Sequence, residues 1–430
     1  MRKKQIYRDW QLLTLNNLKS KLLPVIFLTP LRAGVILITP LFTWLVSRIC
    51  TVRSNNGIHW LLVFILFSGL YGILNESNNW ANVILAISIE IPVFYLLFAD
   101  YVKIKEQNYV CFIKASTWVL GIIDLLGFYT FFFYHIKGED SFGIPYGSHF
   151  TSVHGMSLMN AIMFFYYSFN NIYKREWINK IIAGYFFICF VMCFYGLGTL
   201  CMGAVLGVYG LSNFKFKKII GFSLIILIAG YIVLRSNSNN VSYMESKVTQ
   251  SYSYNNLNEA PRKIRFVARA YDRFCKSPIT DNLFGFGPGS YNGRVAFLLN
   301  DDAKNPFTEI FGTQMPQFHV ADVYIYWSKR WVSMSKYNDG TINKPNSSLV
   351  SIIMENGMLF AALFLFLWGR MMFCFFVNRS NKIYMSLFLI NLFFFLNFVT
   401  EQWLETSEFL FFAVFSGINV AFARSIGSIN

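Results

Sequence analysis

Between positions 261 and 276 the chain reads PRKIRFVARAYDRFCK, and Arg262, Arg265, Arg269, Arg273 and Lys276 recur there at three- and four-residue steps. Ile264, Val267, Ala268, Tyr271, Phe274 and Cys275 follow the same steps as a second stripe, so the segment reads as an amphipathic helix with one cationic face. Like charges that close repel one another unless an anion or a membrane surface accepts them. Arginine suits phosphate, because its planar fork donates two parallel hydrogen bonds. The helix therefore either holds a phosphate-bearing ligand or rests on lipid head groups.

The next residues, SPITDNLFGFGPGSYNGR (277–294), carry Gly285, Gly287, Gly289 and Gly293 around Pro288. Such a backbone either presents N–H groups to a phosphate or forms a plain surface turn. No strand–helix context surrounds it, so it is neither a P-loop nor a dinucleotide fingerprint. Further on, NKPNSSLVSIIMENG (343–357) breaks at Pro345 and Asn346, and Ser347 is placed to cap an incoming helix. Glu355 then falls in an apolar run, either as a functional carboxylate or as a hydrogen-bonding group within a helix bundle. For proton transfer near neutral pH the candidates are His319, in MPQFHVAD, with His149 and His154. The aromatic run VYIYWSKRWVSMSKY (323–337) either stacks on sugar rings or forms an interfacial belt. Asp301–Asp302 and Glu139–Asp140 read as solvated turns, and Cys189/Cys193 lack His or carboxylate neighbours, so neither a metal nor a cofactor is expected.

These residues need a scaffold, and the composition says which kind. Of 430 residues, 55% are hydrophobic, 19% aromatic and only 14% charged, against about 25% charged in soluble domains. Disordered and disulfide-framework classes are excluded, and the main solvent is lipid. A helix needs about 20 apolar residues to cross the hydrocarbon. Candidate spans are 58–75, 80–101, 109–134, 151–169, 178–196, 198–214, 217–234, 357–377, 383–400 and 404–422. Residues 12–49 read as two further short helices turning near Pro30, because proline ends or kinks a helix.

The fold class is thus all-α, a polytopic membrane protein of about twelve helices: helices 1–9 in 1–234, one large extracytoplasmic loop in 235–345, helices 10–12 in 346–430. With the N-terminus inside, short inner loops hold twelve basic residues and short outer loops hold Lys137 alone. That is the positive-inside bias, and it puts both termini in the cytoplasm. It also accounts for much of the net +15 charge, so a nucleic-acid partner is not called for. The loop has 14 Lys+Arg against 9 Asp+Glu, an excess that an anionic ligand would explain. Arg32, Glu90 and Asp124 are the other charges within spans; they pair with each other or line a groove for a lipid carrier. No removable signal peptide is apparent.

An Arg-bearing helix (Arg265, Arg269), then Pro278, then Gly285-x-Gly287-x-Gly289, then a polar break at Asn346 followed by Glu355-x-Gly357 resembles the O-antigen polymerase and ligase superfamily. Twelve spans with one large outer loop before the last three are similar to that family too, as is GSHFTSVHGMSL (147–158) entering a span. Two features depart from it. Asn346 and Ser347 stand where ligases of the family have His-Asn, and YGLGTL (195–200) lacks the Arg of the family's Ser-Arg turn.

The resemblance implies a GT-C-like, metal-independent glycosyltransferase in a bacterial cytoplasmic membrane. Its partner would be an undecaprenyl-pyrophosphate-linked oligosaccharide, with a chain-length regulator protein as a possible second. A sugar hydroxyl would attack the anomeric carbon of the growing chain while the pyrophosphate leaves, and arginine donors would take up the charge that develops. On this implication Arg265, Arg269 and His319 are catalytic and Arg262, Arg294, Gly285 and Gly287 bind the pyrophosphate, supported by Asn346, Glu355 and His154. The missing His favours a polymerase over a ligase, and the lack of internal repeats disfavours a transporter of lipid-linked sugars.

Overall fold

A computed structural model describes residues 15–28, 39–133, 153–193, 195–213, 260, 262–293, 295–296, 315–327 and 347–427. It is mostly helical. Six helices are long and apolar enough to cross a membrane: α3 (Asn56–Leu74), α4 (Trp80–Phe98), α5 (Glu106–Phe133), α12 (Ser348–Val377), α13 (Lys382–Thr400) and α14 (Ser407–Gly427). Shorter apolar helices accompany them: α1 (Leu15–Leu28), α2 (Thr39–Ile49), α6 (Val153–Phe169), α7 (Glu176–Met192) and α8 (Gly196–Asn213). The two short helices expected within 12–49 are present, with Pro24 inside the first. The expected span 217–234 lies outside the described residues, as do Arg32, the acidic pairs 139–140 and 301–302, and His149.

The structure is consistent with the all-α expectation, with one short strand pair beside the helices. Cys50–Arg53 (β1) and Asp100–Ile104 (β2) form an antiparallel pair, with Cys50 opposite Ile104 and Arg53 opposite Asp100. Between them α3 and α4 run out and back, so the pair closes that hairpin at one end of the bundle. Strand pairing answers a need there: backbone leaving two apolar helices must find partners once the helical ladder stops. Asparagines do the same at helix starts. Asn55, Asn79 and Asn381 accept the N–H groups of Ile58, Ala81 and Ile383. Ser347 caps α12 as predicted, accepting from Val350 at 3.2 Å.

The bundle has two unlike ends. At the end with β1 and β2, Asn170 meets Ser386 at 2.9 Å and Ser425 meets Ile104. Arg48, Arg53, Lys103, Lys105, Lys174, Arg175, Arg379, Lys382 and Arg424 all gather in these connections. The described part of the loop sits at the opposite end, against the turns 75–79 and 400–407. Ser77 and Asn78 hold the Phe286 and Pro288 carbonyls at 3.0 and 2.8 Å, and the Ser348 N–H reaches the Glu401 carbonyl at 3.0 Å.

Helices in lipid gain nothing by hiding apolar surface from one another, so close packing must hold them. The aromatic excess serves that purpose. Trp368 is fully buried and touches Phe364, Phe395, Phe398, Phe409 and Phe412. Each such ring pair is worth about 0.5–1.5 kcal/mol beyond its contact area. Outward-facing Trp60, Leu66, Leu70, Leu74, Trp80 and Trp118 stay exposed, as a lipid-facing surface requires. All seven cysteines are free, and the Cys193 thiol donates to the Cys189 carbonyl within the core; the expected lack of a carboxylate neighbour is corrected, since Asp124 lies beside Cys189.

Candidate functional site

The loop reaches the membrane helices through its glycines. α9 (Arg262–Lys276) is followed by α10 (Ile279–Phe284), which ends at Gly285 with φ +78°. Within α12 the stretch Ile352–Asn356 is wound as a π-helix and ends at Gly357, φ +83°. Gly285 and Gly357 face each other so closely that a Cβ on either would run into the other's backbone segment. A side chain at either position would be strained by conformation as well as by space.

This contact exposes the backbone of α12 to the loop. The Phe286 N–H donates to the Met354 carbonyl at 2.8 Å and the Gly287 N–H to the Glu355 carbonyl at 2.9 Å. The chain then curls around the Glu355 side chain. Gly289 donates to its Oε2 at 2.8 Å; Tyr291, Asn292 and Gly293 donate to its Oε1 at 3.0, 2.7 and 2.5 Å. A turn of convergent N–H groups is an anion cradle, and the anion in it is this protein's own glutamate. The expectation that Gly285 and Gly287 offer N–H groups to a pyrophosphate is corrected accordingly. The Gly285 N–H is spent on the Asp281 carbonyl and that of Gly287 on Glu355.

Glu90 and Glu405 join Glu355, and the three buried carboxylates lie within 4.8 Å of one another. Asn356 donates to Glu90 at 3.2 Å and the Val295 N–H to Glu405 at 3.0 Å. Hard cations take oxygen ligands of this kind, so the trio is a candidate cation set that the sequence reading, which found none, did not anticipate. Glu90 is thus not paired with Asp124, which instead accepts from Asn160 at 3.1 Å.

The cationic helix is α9, with bounds close to those predicted. Phe266 and Ala270 bury against Phe286, Tyr291, Val323 and Met354. Above them runs α11, a π-helical stretch His319–Tyr324 continued by Ile325–Trp327. Asp322 on α11 is almost fully buried and takes two of the arginines: Arg269 Nε at 3.0 Å, Arg273 Nε at 2.6 Å and Arg273 Nη2 at 3.1 Å. The hydrogen bonds that it donates to Asp322 hold the Arg273 guanidinium above its ordinary value. Arg265 differs. It lies over the Tyr326 ring at 5.5 Å, and its Nε is buried with no acceptor among the described residues. Asp322 therefore meets Arg269 and Arg273 together, one carboxylate against two cations, while Arg265 Nε meets no acceptor among the described residues. The Arg262 side chain, Arg294 and Asn346 lie outside the described residues.

His319 is fully buried, and its Nδ1–H donates to the Tyr291 carbonyl at 2.6 Å. Burial pushes its pKa down to about 4, so the ring is neutral and braces the glutamate cradle from outside. His154, in the first turn of α6, has a more open position. Its Nδ1 lies 3.3 Å from Glu401 Oε2, its face stacks on Tyr195 at 4.2 Å, and its side chain is 29% exposed. Lys263 of α9 reaches the other Glu401 oxygen at 3.0 Å. Burial by itself would raise the Glu401 carboxyl, but Lys263 and His154 outweigh it and hold the group well below the usual carboxylate range.

Sequence reasoning named Arg265, Arg269, His154, His319, Glu90 and Glu355 but missed Asp322, Lys263, Glu401 and Glu405. Glu401 and Glu405 had a signal: TEQWLETSE (400–408) puts three acids in one short turn between apolar runs. No protein-family model matches the chain, and no curated protein matches it.

Proposed function

We propose that this chain is a membrane glycosyltransferase that extends a polysaccharide, moving the growing glycan from its undecaprenyl diphosphate carrier onto an incoming lipid-linked repeat unit. The observation that carries the reading is Arg265, a cation on the loop helix with a buried Nε donor that no acceptor among the described residues meets. A buried unmet donor costs roughly 1–3 kcal/mol, more for a charged group. A diphosphate oxygen would remove that cost and gain most from the guanidinium as its bond to the sugar breaks. In this reading the loop end of the bundle faces away from the cytoplasm and the basic end faces it. The protein then belongs to a bacterial cytoplasmic membrane, and a chain-length regulator is a natural companion.

The test is genetic and chemical. A strain deleted for this chain, complemented with the wild-type sequence, should show long surface polysaccharide; complemented with Arg265→Ala it should show single capped units. Full-length polysaccharide from Arg265→Ala would refute the role of Arg265. A deletion strain lacking even single capped units would point to a ligase. Loss of export with extension intact would point to a transporter.

A further inference from the structure

We propose that His154 is the general base that takes the proton from the attacking sugar hydroxyl, with Glu401 as its positioning residue; this rests on the reading above. Such a transfer needs a base, and among the described residues the two histidines of the loop end divide clearly. His319 is sealed inside the loop core with its ring committed to the Tyr291 carbonyl. His154 stands at the junction of loop and bundle, partly open, with Nδ1 engaged by Glu401 and no partner for Nε2 among the described residues.

The geometry sets the tautomer. Glu401 can only accept, so the His154 nitrogen facing it, Nδ1, carries the hydrogen, and Nε2 keeps its lone pair. The Tyr195 ring fixes the plane of the imidazole, and Tyr195 is itself anchored by its hydroxyl on Asn397 at 3.0 Å. Glu401 is held in turn by Lys263 on its far oxygen, by its own N–H on the Asn397 carbonyl, and by Ser348 on its carbonyl. A base oriented by a carboxylate that is itself fixed is the arrangement general-base catalysis uses. The 3.3 Å separation is loose, which is common before substrate draws such contacts together.

Lys263, which grips Glu401, and Arg265 both belong to α9, two residues and about 3 Å of helix rise apart, and they project to different sides of it. The groups that face His154 are Glu401 of the turn 400–407, Lys263 of α9 and Tyr195 before α8; Glu408 of α14 packs against the neighbouring Gly155.

In the step itself, the acceptor hydroxyl gives its proton to His154 Nε2 while its oxygen forms a bond to the anomeric carbon. The bond from that carbon to the diphosphate oxygen breaks, and its electron pair leaves with the diphosphate beside Arg265. Glu401 stabilises the imidazolium until the proton passes to water.

The experiment uses the full chain in lipid nanodiscs, supplied with undecaprenyl-diphosphate-linked oligosaccharide extracted from cells that lack it. Wild-type protein should extend the glycan with a rate that rises with pH through one ionisation. His154→Gln should lower kcat about 100-fold or more with little change in KM and should lose that acid limb. Imidazole should partly rescue His154→Ala. Glu401→Gln should lower kcat about tenfold with little change in KM, and imidazole should not rescue it. Wild-type rate and acid limb in His154→Gln, or a dead His154→Ala that imidazole does not rescue, would overturn the assignment. Wild-type protein that never extends the glycan would instead overturn the functional reading.

Discussion

The backbone N–H of Gly293 donates to Glu355 Oε1 at 2.5 Å across 62 residues of sequence, and it is the shortest of four such bonds into one carboxylate. A glutamate in the membrane and a glycine-rich turn in the loop are therefore two halves of a single device. Buried charge is tolerated only when it is hydrogen-bonded, and here the loop supplies the donors that lipid cannot.

Removing the charge from that device should loosen the whole loop end. In Glu355→Gln, the amide NH2 would aim a donor at N–H groups, and the bonds that remain would lose their charge assistance. We expect a loss of about 1–3 kcal/mol, seen as a lower unfolding temperature in detergent. Unchanged melting would mean the cradle does not bind the loop to α12.

Gly293→Ala tests the same cradle from the other side. An added Cβ would sit 2.8 and 3.0 Å from the Glu355 carboxylate oxygens and 3.1 Å from Glu405 Oε1. None of these oxygens is the free end of a mobile chain, so the variant should lose about 1–3 kcal/mol. Gly184→Ala on α7, where a Cβ meets nothing within 4 Å, is the control and should be neutral or slightly stabilising.

Asp322→Asn should free Arg269 and Arg273 together. The buried acceptor that both arginines share would lose its charge, and α11 would lose its tie to α9. Hydrogen–deuterium exchange should rise sharply over 262–276 and 317–327 while the six long helices keep their protection. Uniform protection would show that apolar packing around Phe266 alone holds the two helices.

The fold should weaken as pH falls, first through His319. Folded, this ring takes up a proton only near 4; unfolded, near 6.5. Between those values the unfolded chain binds more protons, so stability rises with pH and is lost on acidification, by on the order of 2 kcal/mol at pH 5. Glu401 acts lower down. Its folded value is depressed, so its contribution is intact above about 4.5 and disappears as pH drops further. Unfolding temperatures between pH 7 and 5 should therefore fall for the wild type and stay flatter in His319→Gln. Equal slopes would remove His319 as the cause.

What the sequence determined by itself was everything that repeats over a short period. Apolar runs of membrane length predicted the six long helices, and the stripe of arginines predicted α9 nearly to the residue. Ser347 was legible as a cap because capping is decided within four residues. The β1–β2 pair was not legible, since each strand is only four or five residues long and owes its existence to the other. Nor were the partners that give the site its character. Asp322 lies 53 residues from Arg269, Glu401 lies 138 from Lys263 and 247 from His154. Only folding chose which carboxylate each of these cations meets, and among the described residues it gave Arg265 Nε no acceptor. A side chain's type tells what bond it can make, but the partner is fixed by the path of the whole chain, which no local pattern records.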